Sequence, residues 1–217
     1  MRKLIKKIIL GIIPKIQETE YDYIYSSRKV IKNEDISKNS NHFYDVDIWK
    51  LANDEIAKFL PKGVSAYYEI VGFTPEGKEI QKDYDYGCKP NEHKIFIYRI
   101  TYTNTDGKVF EFSAKQVQDF CKKNGLNAVP ELYYGHAKEF SDERLNKENW
   151  GIKFLETIKN KYNEKDCFMC SNKVVEEGVV IRVENLEFEA YKQKSFGFYQ
   201  HESAVLDQNI EDIESEN

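Results

Sequence analysis

The segments Glu-Gly-Val-Val-Ile-Arg (177–182) and Tyr-Lys-Gln-Lys-Ser (191–195) are the most informative part of this sequence. Their β-branched and aromatic residues are typical of strands, and we predict that Val174–Val183 pairs with Glu187–Lys194 through the turn Glu184-Asn185-Leu186. Because side chains alternate along a strand, Lys192 and Lys194 share one face, where two cations suit a phosphate group. The apolar run after Gly178 predicts a buried central strand, and a glycine there allows a ligand or another backbone to approach closely.

Two glutamates extend this candidate site. Glu177 directly precedes Gly178, and Glu69 lies in the predicted strand Val64–Phe73. A carboxylate within an apolar strand is stable when it pairs with a cation or coordinates one. Each acid therefore fits either a structural salt bridge or a ligand contact, and the two lysines also fit an ordinary solvated strand.

The remaining sequence predicts an α+β fold in which hairpins dominate. Asn104-Thr-Asp-Gly107 is the strongest hairpin turn, and Ser113 with Gln116 forms a helical capping box. Further predicted elements are a strand in Thr19–Ile31, a helix capped by Asp47, strands Lys94–Thr103, Lys108–Ser113 and Val129–Tyr134, a helix Asn149–Tyr162 with Ile152, Leu155 and Ile158 inward, and a helix from Gln200. This pattern favours antiparallel sheets over a doubly wound nucleotide fold.

Composition sets broad limits. The chain has 217 residues, 41% of them hydrophobic, which is enough for one domain with a sizeable core. A net charge of −5 argues against indiscriminate coating of nucleic acid but allows local lysine clusters. Four irregularly spaced cysteines without a signal-peptide pattern indicate reduced thiols and a cytoplasmic protein.

The N-terminal residues 1–17 predict a basic amphipathic helix that ends near Pro14. Lysines interrupt its apolar run, which is too short to span a bilayer, so no stable membrane association is expected. Binding to a membrane surface remains an alternative for this helix.

Five segments, in order, resemble the nucleotidyltransferase domain of ATP-dependent RNA ligases, within the superfamily of DNA ligases and mRNA-capping enzymes. They are Ser27-Arg28 (motif Ia), Tyr68-Glu69-Ile-Val-Gly72 (motif III), Phe96-Ile-Tyr98-Arg-Ile100 (motif IIIa), Glu177-Gly178-Val-Val-Ile-Arg182 (motif IV) and Lys192-Gln-Lys194 (motif V). The segment Ala128–Gly135 also resembles the one that follows the central helix of these ligases. Each motif is weak alone, but five in this order on predicted strands are a strong resemblance.

The resemblance implies an antiparallel-sheet nucleotidyltransferase domain of ATP-grasp-like type at residues 18–203, between the helix 1–17 and an acidic tail at 204–217. In that family a lysine attacks ATP to form lysyl-AMP, AMP passes to an RNA 5′-phosphate, and a 3′-hydroxyl then displaces AMP. The implied cofactors are ATP and Mg²⁺, and the implied partners are RNA ends, in a nicked duplex or as single strands.

Roles for individual residues follow from the same resemblance. Arg28, Glu69, Tyr98 and Gly178 would bind the nucleotide, with Arg28 on ribose or phosphate, Glu69 on the ribose and Tyr98 stacked on adenine. Lys192 and Lys194 would stabilise charge on the transferred phosphate. Glu177 would position the substrate or the metal ion, since Mg²⁺ prefers carboxylate and phosphate oxygens.

One motif of that family is missing. Its nucleophile lies in Lys-x-(Asp/His/Asn)-Gly upstream of motif Ia, and no such tetrapeptide precedes Arg28. Lys7-Ile-Ile-Leu-Gly11 has one residue too many and lies in the predicted helix. We therefore expect that the chain begins inside the family's domain, with residues 1–17 as an insertion between motifs I and Ia, either as a truncated product, through a mis-called start or as one piece of a split gene. We expect that it does not adenylate itself alone, that an upstream polypeptide could supply motif I, and that sealing of pre-adenylated RNA survives.

Other interpretations remain open at this stage. The tyrosines suit a noncatalytic RNA-binding module, and the chain also fits an interaction remnant of a ligase or a DNA ligase-like nick sealer. Cys167-Phe-Met-Cys170 has the spacing of half a zinc site, although a closed site needs four ligands.

Overall fold

The computed structural model describes residues 23–27, 31–32, 47–140 and 149–207. The predicted helix at 1–17, Arg28 and most of the predicted acidic tail lie outside these residues. The strands are β1 (Tyr25–Ser26), β2 (Ile31–Lys32), β3 (Val64–Gly72), β4 (His93–Thr103), β5 (Val109–Glu111), β6 (Asn127–Ala128), β7 (Gly178–Val183) and β8 (Glu189–Lys194). The helices are α1 (Ile48–Ile56), α2 (Ala114–Asn124), α3 (Trp150–Tyr162) and α4 (Phe196–Asp207), with short 3₁₀ turns at Ala57–Phe59 and Ala137–Glu139.

The larger sheet is built around β4. The strand β3 pairs antiparallel with one edge of β4, while β5 (antiparallel) and β6 (parallel) pair with the other edge at different positions. The predicted hairpin between β4 and β5 is confirmed, because Asn104 Oδ1 accepts hydrogen bonds from the backbone N–H of Asp106 at 3.0 Å and of Lys108 at 2.8 Å. Together with the helices, these sheets fit the expected α+β class.

The helices α1 and α2 cover one face of this sheet. The α1 helix begins at its predicted cap, Asp47, whose carboxylate accepts from the backbone N–H of Lys50 at 3.0 Å. The predicted capping box of Ser113 and Gln116 starts α2, which ends at the left-handed Gly125. The core that these elements share consists of Ala52, Ile56, Ile95, Ile97, Ile100, Val117 and Cys121.

A bulge in β4 shapes the opposite face of the sheet. Tyr67 pairs with Arg99, but the next residue, Tyr68, pairs with Ile97, so Tyr98 is an extra residue in β4. Such a bulge places two consecutive side chains on one face. As a result Tyr98 and Arg99 both lie beside the Tyr67 ring on the face away from the helices.

The strands β7 and β8 form a separate antiparallel hairpin, with Gly178 opposite Lys194 and Val183 opposite Glu189. The predicted pairing is confirmed, but the prediction that β7 is a buried central strand is wrong. Among the described residues β7 pairs only with β8, and Val180 is 63% exposed. An apolar run therefore shows that a segment forms a strand without showing how many neighbours cover it.

Three local predictions differ from the structure. The prediction of one strand within residues 19–31 is wrong, because β1 (Tyr25–Ser26) pairs antiparallel with β2 (Ile31–Lys32). The predicted strand Val129–Tyr134 is absent, since parallel pairing with β4 stops just before Pro130, which has no N–H to donate.

The third difference concerns which side of α3 is buried. Ile158 is buried as predicted, but Ile152 and Leu155 are 65% and 44% exposed. The aromatic side of the helix packs instead, with Phe154 and Tyr162 against Phe140 at ring-centroid distances of 5.6 and 6.4 Å. Two apolar stripes compete on this helix, and the larger rings occupy the contact with Phe140.

Candidate active site

The carboxylate of Glu177, just before β7, is held asymmetrically. Its Oε1 atom accepts a hydrogen bond from Gln81 Nε2 at 2.7 Å and lies 2.6 Å from the hydroxyl of Tyr86. Its Oε2 atom lies 3.7 Å from Lys192 Nζ of β8. One carboxylate oxygen is thus fixed by the protein, and the other faces a lysine.

The backbone of Tyr86 is strained. Its φ of 47° lies in the left-handed region, which costs a non-glycine residue on the order of 1–3 kcal/mol. Lys94 Nζ stabilises this turn by donating to the carbonyls of Tyr86 and Gly87, both at 3.0 Å. Burial first, and then the Glu177 carboxylate, raise the pKa of Tyr86 well above its ordinary value, so its hydroxyl stays protonated and remains a donor.

Gln81 and Tyr86 belong to the long connection between β3 and β4, residues 73–92, which is fixed to the chain just before Glu177. The fully buried Tyr84 donates its hydroxyl to the carbonyl of Val175 at 2.7 Å. Asp85 accepts from the backbone N–H of Ser171 at 2.7 Å and of Asn172 at 3.2 Å. This connection has no hydrophobic period, so the sequence pattern did not identify Gln81 or Tyr86 as site residues.

In this structure, the ammonium groups of Lys192 and Lys194 each have a different carboxylate partner. Lys192 faces Glu177, whereas Lys194 Nζ lies 2.8 Å from both carboxylate oxygens of Glu202 on α4. The rings of Phe198 and Tyr199 also approach Lys194 Nζ, at 5.2 and 5.3 Å. Each cation therefore has its own carboxylate, and Lys192, 42% exposed, is the one beside Glu177.

Gly178 is required by the pairing of the strands. Its φ is 130°, and a Cβ atom built there would lie 2.0 Å from the carbonyl oxygen of Gln193 in β8. Of the two partners that the sequence allowed, a ligand or another backbone, the structure shows the second, because the Gln193 carbonyl occupies the space that a side chain would need.

The other two predicted nucleotide contacts lie on the larger sheet. Glu69 and Tyr98 are exposed on β3 and β4, with the Tyr98 ring 6.4 Å from that of Tyr67. The structure thus brings Glu177 and Lys192 together and places Glu69 and Tyr98 on the open face of the neighbouring sheet. Arg28 lies outside the described residues.

A stacked arginine connects the two sheets. The guanidinium carbon of Arg99 lies 4.6 Å from the ring centre of Tyr67 and 4.2 Å from that of Phe188, the residue just before β8. Glu111 of β5 fixes this guanidinium through two contacts, one of 3.0 Å to Nε. The sequence analysis did not select Arg99, because its role depends on elements far apart in the chain.

The cysteines give no support to the zinc alternative. Burial raises the pKa of Cys167 to about 12 and also raises that of Cys170, so both are protonated thiols in the metal-free protein. Within the described ranges, no three His, Cys, Asp or Glu side chains are grouped so that they could hold an ion.

Glu177 would bind a magnesium ion only together with the phosphates of a substrate. Mg²⁺ is usually bound by one or two carboxylates together with substrate phosphates and water. Glu177 Oε2 is the carboxylate oxygen that the Gln81 and Tyr86 contacts leave available, so it would be the protein ligand. The substrate phosphates would have to complete the coordination.

Comparison with known proteins identifies a family. A family model described as RNA ligase matches residues 12–196. Neither the curated proteins nor the solved structures contain a match to this chain. In the part of the chain that the structure describes, every helix is too short or too polar to cross a bilayer.

Proposed function

Since this chain belongs to the RNA ligase family, we propose that it binds adenylate beside Glu177 and Lys192 and joins RNA 5′-phosphate and 3′-hydroxyl ends through adenylylated intermediates. In the sealing step, the 3′-oxygen forms a bond to the 5′-phosphorus while the bond from that phosphorus to AMP breaks. AMP leaves with the electron pair, and the hydroxyl proton passes to solvent or a base.

The observation that carries this proposal is the fixed Glu177 carboxylate beside a partly exposed lysine. Because Gln81 and Tyr86 hold Oε1, the second oxygen has a defined position, 3.7 Å from Lys192 Nζ. A preorganised cation stabilises negative charge that develops on a transferred phosphate, and it needs no reorganisation when the reaction occurs. Magnesium bound to Glu177 and the substrate would add positive charge at the same phosphate.

The first step of the pathway, formation of lysyl-AMP, is not assigned to this polypeptide. No Lys-x-(Asp/His/Asn)-Gly sequence precedes motif Ia, and the one that the chain contains, Lys122-Lys-Asn-Gly125, lies at the end of α2, so we propose that this polypeptide alone does not form lysyl-AMP. It would act on RNA whose 5′ end already carries AMP, because that step uses no lysine nucleophile. ATP and AMP would bind without covalent attachment.

Equilibrium binding of labelled AMP tests the site. We expect Lys192→Ala to weaken binding by roughly tenfold or more, because a contact to a charged group contributes about 1.5–3 kcal/mol. We expect a smaller loss for Tyr86→Phe, which removes one of the two contacts that hold Glu177 Oε1. Matched controls are Lys123→Ala, at an exposed position on α2, and Tyr191→Phe, whose hydroxyl contacts Glu189.

Two activity measurements complete this test. Wild-type protein incubated with labelled ATP and magnesium should remain unlabelled, and it should seal pre-adenylated RNA in a Lys192-dependent manner. A covalent AMP adduct would contradict the assignment of the first step. Equal AMP affinity in Lys192→Ala and in the wild type would contradict the proposed site.

A further inference from the structure

An open cleft of about 570 Å³ lies where the end of α3, the end of β8 and the start of α4 meet. Its walls include Lys159, Asn160, Gln193, Lys194, Phe196 and Tyr199. These side chains combine aromatic rings, amides and ammonium groups. The cleft lies next to the proposed active site in the chain, since Lys192, which faces Glu177, directly precedes Gln193 and Lys194.

The two aromatic rings of the cleft are open to solvent. Phe196 is 68% exposed and Tyr199 is 55% exposed. They are three residues apart at the start of α4, so they lie on the same side of the helix. Neighbouring exposed rings are typical of surfaces on which unpaired bases stack.

Among the charged groups of the cleft, Lys194 is already paired with Glu202. The acid in its wall, Glu164, accepts from the backbone N–H groups of Phe196 at 2.6 Å and Gly197 at 2.9 Å. These donors and the positive end of α4 offset the Glu164 carboxylate. Lys159, in contrast, has no ion-pair partner among the described residues and is exposed.

We propose that this cleft binds single-stranded nucleotides of the RNA substrate, with bases on Phe196 and Tyr199 and a phosphate at Lys159. This inference rests on the proposed function and adds a substrate site to it. The amides of Asn160 and Gln193 offer both donors and acceptors to base edges. A site for a nucleotide needs an aromatic ring on which the base stacks, polar groups that contact the edge of the base, and a cation for the phosphate. The cleft has all three.

Binding of a fluorescent single-stranded RNA of about 12 nucleotides, followed by anisotropy, tests the cleft. We expect Phe196→Ser and Tyr199→Leu each to weaken binding by roughly tenfold, and Tyr199→Phe to bind like the wild type, because stacking requires an aromatic ring. We expect Lys159→Gln to reduce the slope of log affinity against log salt by about 0.7, the value for one phosphate contact on a single strand.

The controls are exposed residues of the same types elsewhere. Phe168→Ser, at a ring 62% exposed, and Lys123→Gln should leave RNA affinity unchanged. Because Lys159, Phe196 and Tyr199 are exposed, the variants at these positions should keep the wild-type unfolding temperature and AMP affinity.

The outcomes separate this inference from the proposed function. RNA affinity within about twofold of the wild type in both Phe196→Ser and Tyr199→Leu would overturn the cleft site, as would a wild type that does not bind single-stranded RNA. A wild type that binds RNA through the cleft but does not bind AMP would overturn the proposed function and leave the cleft site standing.

Discussion

The contact between Gly178 and Gln193 makes a sharp prediction about stability. In Gly178→Ala the new Cβ would lie 2.0 Å from the Gln193 carbonyl oxygen, and the backbone would keep an unfavourable φ of 130°. We expect the free energy of unfolding to fall by more than about 3 kcal/mol, since strain and a clash with backbone add together. Urea unfolding measures this loss.

Gly107→Ala is the matched control for this prediction. Gly107 also has a positive φ, 79°, but a Cβ atom there meets nothing within 4 Å. Its substitution should therefore cost only the backbone strain, about 1–2 kcal/mol. Equal losses in the two variants would show that the close approach between β7 and β8 does not determine the need for glycine at position 178.

Single residues also show what a motif can and cannot predict. The sequence identified Glu177 and Lys192 as candidates by residue type and strand position, and the structure places them 3.7 Å apart. It did not predict that Lys194 pairs with Glu202, because that contact depends on where α4 packs. A strand period fixes the face of a side chain but not its partner.

Among the elements, the connection at residues 73–92 is held by a carboxylate whose effect depends on pH. Burial opposes ionisation of Asp85, but N–H donors from Gly87, Ser171 and Asn172, together with Lys94, lower its pKa below the ordinary value of 3.8. A carboxylate with a lowered folded-state pKa stabilises the fold above its unfolded-state pKa, and this stabilisation disappears as the pH falls through the folded-state pKa.

We therefore expect Asp85→Asn to lower the free energy of unfolding at neutral pH by about 1 kcal/mol, a modest value because solvent screens this site. The difference from the wild type should shrink as the pH falls below 3.8. Asp106→Asn, in the exposed β4–β5 turn, is the control and should have little effect at either pH. A difference that stays constant with pH would contradict the ionic role of Asp85.

The same elements explain which parts of the fold the sequence could predict. The caps at Asp47 and Ser113 and the turn at Asn104–Gly107 were predicted correctly, because their hydrogen bonds join residues two to four positions apart. The buried side of α3 was predicted correctly only at Ile158, because the rest of that side depends on contact with Phe140. The connection at 73–92 contains turns and the buried Tyr84 but no hydrophobic period, so its path follows from tertiary contacts.

For the molecule as a whole, the order of the motifs along the chain identified the family, whereas the way in which the two sheets are joined required the structure. Arg99 reaches from β4 to Phe188 next to β8, and this contact spans a large separation in sequence. Because the predicted nucleotide contacts are divided between the two sheets, the position of one sheet relative to the other decides whether those contacts can act on one ligand.

A double-mutant cycle with Arg99→Met and Phe188→Leu measures this connection. The 4.2 Å stacking distance and the fixed guanidinium predict a coupling free energy of about 0.5–2 kcal/mol in urea unfolding, in the range of cation–π contacts. Arg99→Met combined with Phe110→Leu is the control, because the Phe110 ring stacks on Tyr102, and those two changes should be additive.

Additivity in the Arg99 and Phe188 cycle as well would mean that the stacked arginine does not couple the sheets. The divided nucleotide contacts would then depend on bound ligand to bring them together, and AMP should restore part of the stability lost in Arg99→Met.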